Sequence, residues 1–135
     1  QLARTRDSGR KSTVTQLGHA VQAYYTSRNA TYPTADSTWI AALTAAGELA
    51  TLPSAVNYGV GNSISCATNS QNDWCYDTAS SSTGAIIYTA LESTIEESKC
   101  ASGQAWFMYD AEEGRGGIVC GSGEPTFATT WNAIQ

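Results

Sequence analysis

Residues 10–25 read RKSTVTQLGHAVQAYY, and this stretch decides the fold. Its apolar side chains recur at spacings of three and four residues: Val14, Leu17, Val21 and Tyr24. That period places them along one side of an α-helix, with polar residues over the rest of its surface. The pattern predicts a helical stem over residues 1–28, with this stripe packing a globular head onto the helix.

The start of the stem lacks an apolar stripe, so we expect its first ten residues to project from the head. A helix of some 27 residues would extend roughly 40 Å, longer than a small head can cover. The helix also begins at Gln1 without a capping residue. We therefore expect the chain to be a piece whose upstream part is missing.

The residues after the stem predict a connection and then a small sheet. Asn29 and the Tyr32-Pro33 pair end the stem helix. Residues 29–53 form the connecting region, which contains a short helix with Trp39, Ile40 and Leu43 as its buried face. Residues 54–135 are expected to hold the sheet and the disulfide loops. Strands are predicted at Ala85–Leu91, Gln104–Tyr109 and Gly117–Cys120, whereas Asn57–Cys75 is interpreted as a loop.

These elements predict one domain over residues 1–135 with an α+β fold. A long N-terminal amphipathic helix would pack on a small antiparallel sheet of three to four strands.

The net charge of −5 hides an uneven distribution. Residues 1–28 carry five basic side chains and one acidic one, while the rest of the chain carries two basic and eleven acidic ones. One interpretation is a solvated acidic surface. The other is attraction between copies, in which acidic surface on a neighbour meets four stem cations: Arg4, Arg6, Arg10 and Lys11. We do not expect nucleic acid as a partner, because the acidic body would repel phosphates.

Four cysteines without a C-x-x-C pair predict two disulfides and an oxidising compartment. We favour Cys66–Cys75 and Cys100–Cys120, which close short loops. The other two pairings remain open.

The sequence offers few groups for catalysis, so we do not expect an enzyme. His19 is the one histidine and lies within the helix pattern. No cofactor is expected, although calcium is possible at Asp110, Glu112 and Glu113, or at the alternative oxygen set Asn72, Asp73 and Asp77. Trp74 and Tyr76, beside a disulfide, are candidates for an exposed ligand surface.

The stretch ARTRDSGRKSTVTQLGHAVQAYYTSRNATYPTADSTWIAAL (Ala3–Leu43), followed by GELATLP (Gly47–Pro53), resembles the region after the membrane helix in type IV pilins and type II secretion pseudopilins. The features that match are the R-D-x-x-R-K run, the helix ending in Tyr24-Tyr25, and Asn29 leading to Tyr32-Pro33. One departure is Ala30, which stands where a glycine is frequent.

The resemblance implies a structural subunit of an extracellular surface filament, used for attachment or motility. It implies that a hydrophobic helical half precedes Gln1, anchors the subunit in the inner membrane before assembly, and is the subunit's only membrane contact. The implied partners are further copies, the pilus or secretion assembly machinery and, for attachment, a host surface or glycan. The alternatives are a pseudopilin and a secreted module that binds a glycan or surface through exposed aromatic loops.

Overall fold

The structure, a computed structural model, describes residues 2–53, 70–71, 74–78, 84–93, 96, 98–100 and 104–121. Helix α1 spans Leu2–Ser27, and the short helix α2 spans Trp39–Ala45. Both helices predicted from the sequence are therefore confirmed.

Two consecutive residues in the left-handed region end α1. Asn29 has φ 57° and Ala30 has φ 58°. The Ala30 N–H donates to the Tyr25 carbonyl at 3.0 Å, which satisfies one of the carbonyls left over at a helix end. Asparagine tolerates this backbone region well, whereas alanine is strained in it.

The sheet is antiparallel, with its strands side by side in chain order. The strands are β1 Ser70–Gln71, β2 Trp74–Thr78, β3 Ala85–Ala90, β4 Gln104–Asp110 and β5 Arg115–Gly121. The α+β layout is confirmed, and the three predicted strands correspond to β3, β4 and β5. A tight turn over residues 111–114 joins β4 to β5.

The prediction of a loop over Asn57–Cys75 is wrong at its end, because Trp74 and Cys75 begin β2. Strand β2 pairs with β3, with Cys75 opposite Tyr88. Its first three residues are all buried. A strand buried on both faces shows no alternation of polar and apolar residues, so the period-two signal is missing. Together with the short β1, this raises the sheet to five strands, above the expected three to four.

The core lies between α1, α2 and one face of the sheet. Val14, Leu17 and Val21 are fully buried there against Ile87 and Tyr109, among others. The opposite face of the sheet is also buried, through a second cluster: Cys75, Ile86, Tyr88, Ala90, Trp106, Met108 and Val119.

Gly18 brings the helix backbone against the sheet. A Cβ atom at this position would lie 2.2 Å from Cδ1 of Tyr109, far inside van der Waals contact. The Tyr109 hydroxyl donates to Oε1 of Gln22 at 3.0 Å, and Nε2 of Gln22 donates to the Ala111 carbonyl at 2.9 Å. A glycine that is unfavourable for the helix therefore allows an aromatic ring to contact the helix directly.

Candidate functional site

A buried group of charged residues ties the first half of α1 to the segment that follows β3. We call it the ionic cluster: Arg6, Asp7, Arg10 and Glu92. The side chains of Asp7, Arg10 and Glu92 are 1%, 2% and 2% exposed, while that of Arg6 is 32% exposed. Charges so thoroughly removed from water are tolerated only when they are paired and hydrogen-bonded.

The carboxylate of Glu92 accepts hydrogen bonds from two guanidinium groups. Arg6 donates to both of its oxygens, from Nε at 2.6 Å and from Nη2 at 3.0 Å, in a bidentate arrangement. Arg10 donates from Nη2 to the same carboxylate at 2.6 Å. The hydrogen bonds to Glu92 hold the pKa of Arg6 above its ordinary value.

Asp7 fixes the backbone of the segment after β3. Its carboxylate accepts the Glu92 N–H at 3.1 Å and the Ser93 N–H at 2.8 Å, as well as Nη1 of Arg10 at 2.5 Å. A single carboxylate thus satisfies two main-chain donors and one cation. This holds the segment in one register against the helix.

A second ionic contact begins at Lys11, the residue after Arg10. Lys11 and Lys99 both pair with the carboxylate of Glu96, Lys99 at 3.0 Å. Burial alone would raise the pKa of Glu96, but hydrogen bonds from the two lysines outweigh it and the pKa is lowered. Two cations therefore share one anion here.

These contacts correct the prediction for Arg10, whose buried guanidinium pairs within the chain instead of facing other copies. Arg6 and Lys11 also pair within the chain, but their side chains stay 32% and 30% exposed, so their contact with other copies stays a prediction. The expected projection of the first ten residues is therefore wrong from Arg6 onward. Arg4 is exposed, and its role between copies stays a prediction.

The acidic partners Glu92 and Glu96 were missed by the sequence analysis, as was Lys99. The only sequence signal was on the helix itself: Asp7 and Arg10 are three residues apart, which brings their side chains together. No pattern along the chain indicates which distant segment this pair will bind.

The predicted stripe that packs the head onto the helix is confirmed. Val14, Leu17 and Val21 are 0% exposed, and Tyr24 packs partly buried against the same cluster. The guanidinium of Arg28 lies 5.5 Å from the centre of the Tyr24 ring.

The predicted ligand surface at Trp74 and Tyr76 is wrong, because both side chains belong to the core. They are 4% and 0% exposed. Tyr76 stacks on Trp39 with ring centres 4.6 Å apart, and its hydroxyl donates to the Pro33 carbonyl at 2.8 Å. Burial raises the pKa of the Tyr76 hydroxyl.

The candidate calcium residues lie at the β4–β5 turn. Oδ1 of Asp110 accepts the backbone N–H groups of Glu112 and Glu113 at 2.9 and 3.0 Å, so this carboxylate stabilises the turn. The side chains of Glu112 and Glu113 are exposed. Among the described residues, no three metal-ligating side chains come together. The alternative set includes Asn72 and Asp73, which lie outside the described residues.

One of the two predicted disulfides, Cys100–Cys120, is confirmed, with Cα atoms 5.6 Å apart. Cys75 is also disulfide-bonded. Cys66, its predicted partner, lies outside the described residues.

His19 is exposed and lies edge-on to Tyr109, with ring centres 5.5 Å apart. In the ionic cluster each charged side chain is paired with another, so these groups can attach helix α1 to the head.

Comparisons with known protein families, with curated proteins and with solved structures find no match to this chain. Across the described ranges, none of the helices has the length and apolar character needed to span a bilayer.

Proposed function

We propose that this chain is the head and lower stem of a subunit of a type IV pilus or a related filament, and that its function is to polymerise. The observation that carries the proposal is helix α1, 26 residues long, which packs on an antiparallel sheet. At 1.5 Å per residue it extends about 39 Å. The sequence of the same helix carries the resemblance to pilins and pseudopilins.

The geometry of the helix supports this role. One side of α1 is held by the ionic cluster and the apolar stripe. Residues along the other side are exposed: Ser8, Ser12, Gln16, His19 and Ala23. A helix fixed to its own head along one side leaves the other side for neighbouring copies.

In this proposal an apolar segment upstream anchors the subunit in the inner membrane, and assembly machinery transfers it into an extracellular filament. That segment supplies most of the cohesion between copies. A secreted glycan-binding module has lost its support, because Trp74 and Tyr76 are in the core. A pseudopilin belongs to the same proposal, since it uses the same kind of stem in a secretion machine.

The test begins with the complete reading frame and the N-terminus of the mature protein. We expect a short basic leader followed by about 20 apolar residues that stay in the mature chain. Filaments sheared from cells should then contain the subunit in a form that sediments. A matched variant without the apolar segment should be released as soluble protein. A cleaved secretory signal, with only monomers outside the cell, would sink the proposal.

A further inference from the structure

Among the described residues, positive charge is in excess near the beginning of α1. Five cations, Arg4, Arg6, Arg10, Lys11 and Lys99, lie there with three described carboxylates. The ionic cluster neutralises two of these cations. Lys11 and Lys99 share Glu96, and their side chains stay 30% and 36% exposed.

Arg4 adds to this excess. It is exposed and forms no ion pair with any residue of the described ranges. It precedes Lys11 by seven residues, almost two full turns, so the two lie on the same side of the helix. We call Arg4, Lys11 and Lys99 the basic patch. With Glu96 included, the described residues of the patch carry a charge of +2.

Negative charge is in excess at the β4–β5 turn. The exposed carboxylates of Glu112 and Glu113 form no salt bridge within the described part of the chain. Asp110 is occupied by the backbone amides of the turn, and Arg115 contributes one positive charge. The turn from Asp110 to Arg115 therefore carries −2, equal and opposite to the basic patch.

The two surfaces lie at different levels along the helix. The turn is beside Gln22, whose side chain donates to the Ala111 carbonyl at 2.9 Å. Gln22 follows Lys11 by 11 residues and Arg4 by 18, or about 16 and 27 Å along the axis. These separations exceed the Debye length of about 8 Å at physiological salt, so the two charges act little on each other within one copy.

From this charge complementarity we infer that copies contact head to tail, with the basic patch of one copy against the acidic β4–β5 turn of the next. The inference rests on the proposed filament function and names the partner as a second copy of this chain. Two different surfaces that bind each other form a heterologous contact. Such a contact extends into an open helical assembly when its rotation does not close.

The contact is weak in isolation, because exposed ion pairs strengthen an association by no more than about five-fold each. We therefore expect it to fix the relative position of neighbouring copies, while the upstream apolar segment supplies most of the cohesion between them. A measurement of weak attraction is needed to detect it in the 135-residue chain.

Static light scattering supplies that measurement through the osmotic second virial coefficient. At about 10 mM salt, where the Debye length is about 30 Å, we expect net attraction despite the overall charge of −5. At about 1 M salt the attraction should disappear. A coefficient that is repulsive at low salt would overturn the inference.

Two charge reversals locate the contact. Arg4→Glu should weaken the pairwise association about three- to five-fold at low salt. Arg28→Glu, the same substitution on another exposed residue of the chain, should leave it unchanged. Equal losses from both would mean that only net charge matters, which contradicts the proposed contact. Thermal unfolding by circular dichroism verifies that both variants are folded.

A charge swap gives the decisive comparison. Glu112→Lys with Glu113→Lys reverses the turn to +2 and should weaken association. Adding Arg4→Glu lowers the basic patch from +2 to 0, so it should remove the new repulsion and restore association in part. Adding Arg28→Glu instead gives the same net charge and should not restore it. Failure of the Arg4→Glu rescue overturns the inference.

The proposed function is judged separately, by whether the complete reading frame yields filaments. If wild-type and Arg4→Glu subunits form filaments equally well and the virial coefficients do not differ, the contact is refuted while the filament function stands. If the swap rescues attraction but no filament forms from the wild-type gene, the contact stands and the filament function fails.

Discussion

The two halves of helix α1 are attached to the head by different physics. In the first half, Asp7 and Arg10 reach the segment after β3 through buried ion pairs and backbone hydrogen bonds. In the second half, Leu17 and Val21 are fully buried apolar side chains against the sheet. Burial of such side chains stabilises by about 1.5–3 kcal/mol each, whereas a buried ion pair gains little net free energy because desolvation opposes it. The apolar half therefore supplies most of the free energy that attaches the helix to the head. The ionic half fixes the position of the helix along the head.

The largest expected loss of stability comes from removing one charged side chain of the ionic cluster. Asp7→Ala removes the acceptor of two main-chain N–H groups and one partner of Arg10, and leaves these groups buried. We expect the free energy of unfolding to fall by about 3–5 kcal/mol, measured by urea denaturation. Amide hydrogen exchange should accelerate first in the first half of α1.

Ser8→Ala is the matched control, since Ser8 is the exposed neighbour of Asp7. Its effect should stay within about 0.5 kcal/mol. If Asp7→Ala were equally mild, the cluster would not be the attachment of the first half.

The apolar half should respond to a truncation of its most central residue. Leu17→Ala leaves a cavity beneath α1 and should lower the free energy of unfolding by about 2–5 kcal/mol. Because no charge is involved, this loss should be the same at neutral and acidic pH. A loss that varies with pH would show that the two halves do not act independently.

Two glycines of α1 should give opposite results for the same substitution. A methyl group at Gly18 would collide with the Tyr109 ring, whereas at Gly9 it would meet nothing within 4 Å. Gly18→Ala should destabilise by about 1–3 kcal/mol from overpacking, reduced by a helix-propensity gain of up to about 1 kcal/mol. Gly9→Ala should stabilise by up to about 1 kcal/mol. Thermal or urea unfolding measures both.

The Tyr109→Ala background verifies the cause. Without the ring, the penalty of Gly18→Ala should vanish. If it persists there, the collision with Tyr109 is not the reason for the glycine.

The parts of the fold that follow local periodicity could be predicted from the sequence. The stripe from Val14 to Tyr24 repeats at the helical period, and Ala85–Leu91 is a short run rich in β-branched residues. Strand β2 could not be predicted, because burial on both faces removes the alternation. Trp74 and Tyr76 were misinterpreted as exposed because their neighbours in the sequence are polar. Tertiary packing buries both rings.

The candidate site was harder to predict because it depends on contacts between distant parts of the chain. The charges of Arg6 and Arg10 are evident in the sequence, but their partner Glu92 lies more than 80 residues away. Only the folded sheet brings that carboxylate to the helix. The sequence therefore indicated where the charges are and gave no indication of which ones are neutralised.

Ala30 illustrates a departure whose consequence became visible only in the structure. In the pilins and pseudopilins that the sequence resembles, a glycine is frequent at the matching position, and the backbone of Ala30 has φ 58°. Glycine adopts this region freely, whereas alanine costs about 1 kcal/mol or more. The helix end therefore keeps the backbone shape that a glycine would favour.

The smallest expected effect, and the one that best separates the two halves, is the pH dependence of the Glu96 contact. The pKa of Glu96 is lowered in the folded protein, so its ionisation stabilises the fold above the ordinary glutamate pKa of about 4.3. This contribution is lost as pH falls through the lower folded value. Glu96→Gln should cost up to about 1 kcal/mol at pH 7, because its partners are partly exposed, and less near pH 3.

Urea denaturation at the two pH values measures this difference, with Glu113→Gln as the control. Glu113 is exposed and makes no described ion pair, so its substitution should have little effect at either pH. If Glu96→Gln lowers the free energy of unfolding by the same amount at both pH values, packing and not charge attaches Lys11 to the head. The first half of the helix would then resemble the second, and the contrast between the halves would rest on Asp7 and its partners alone.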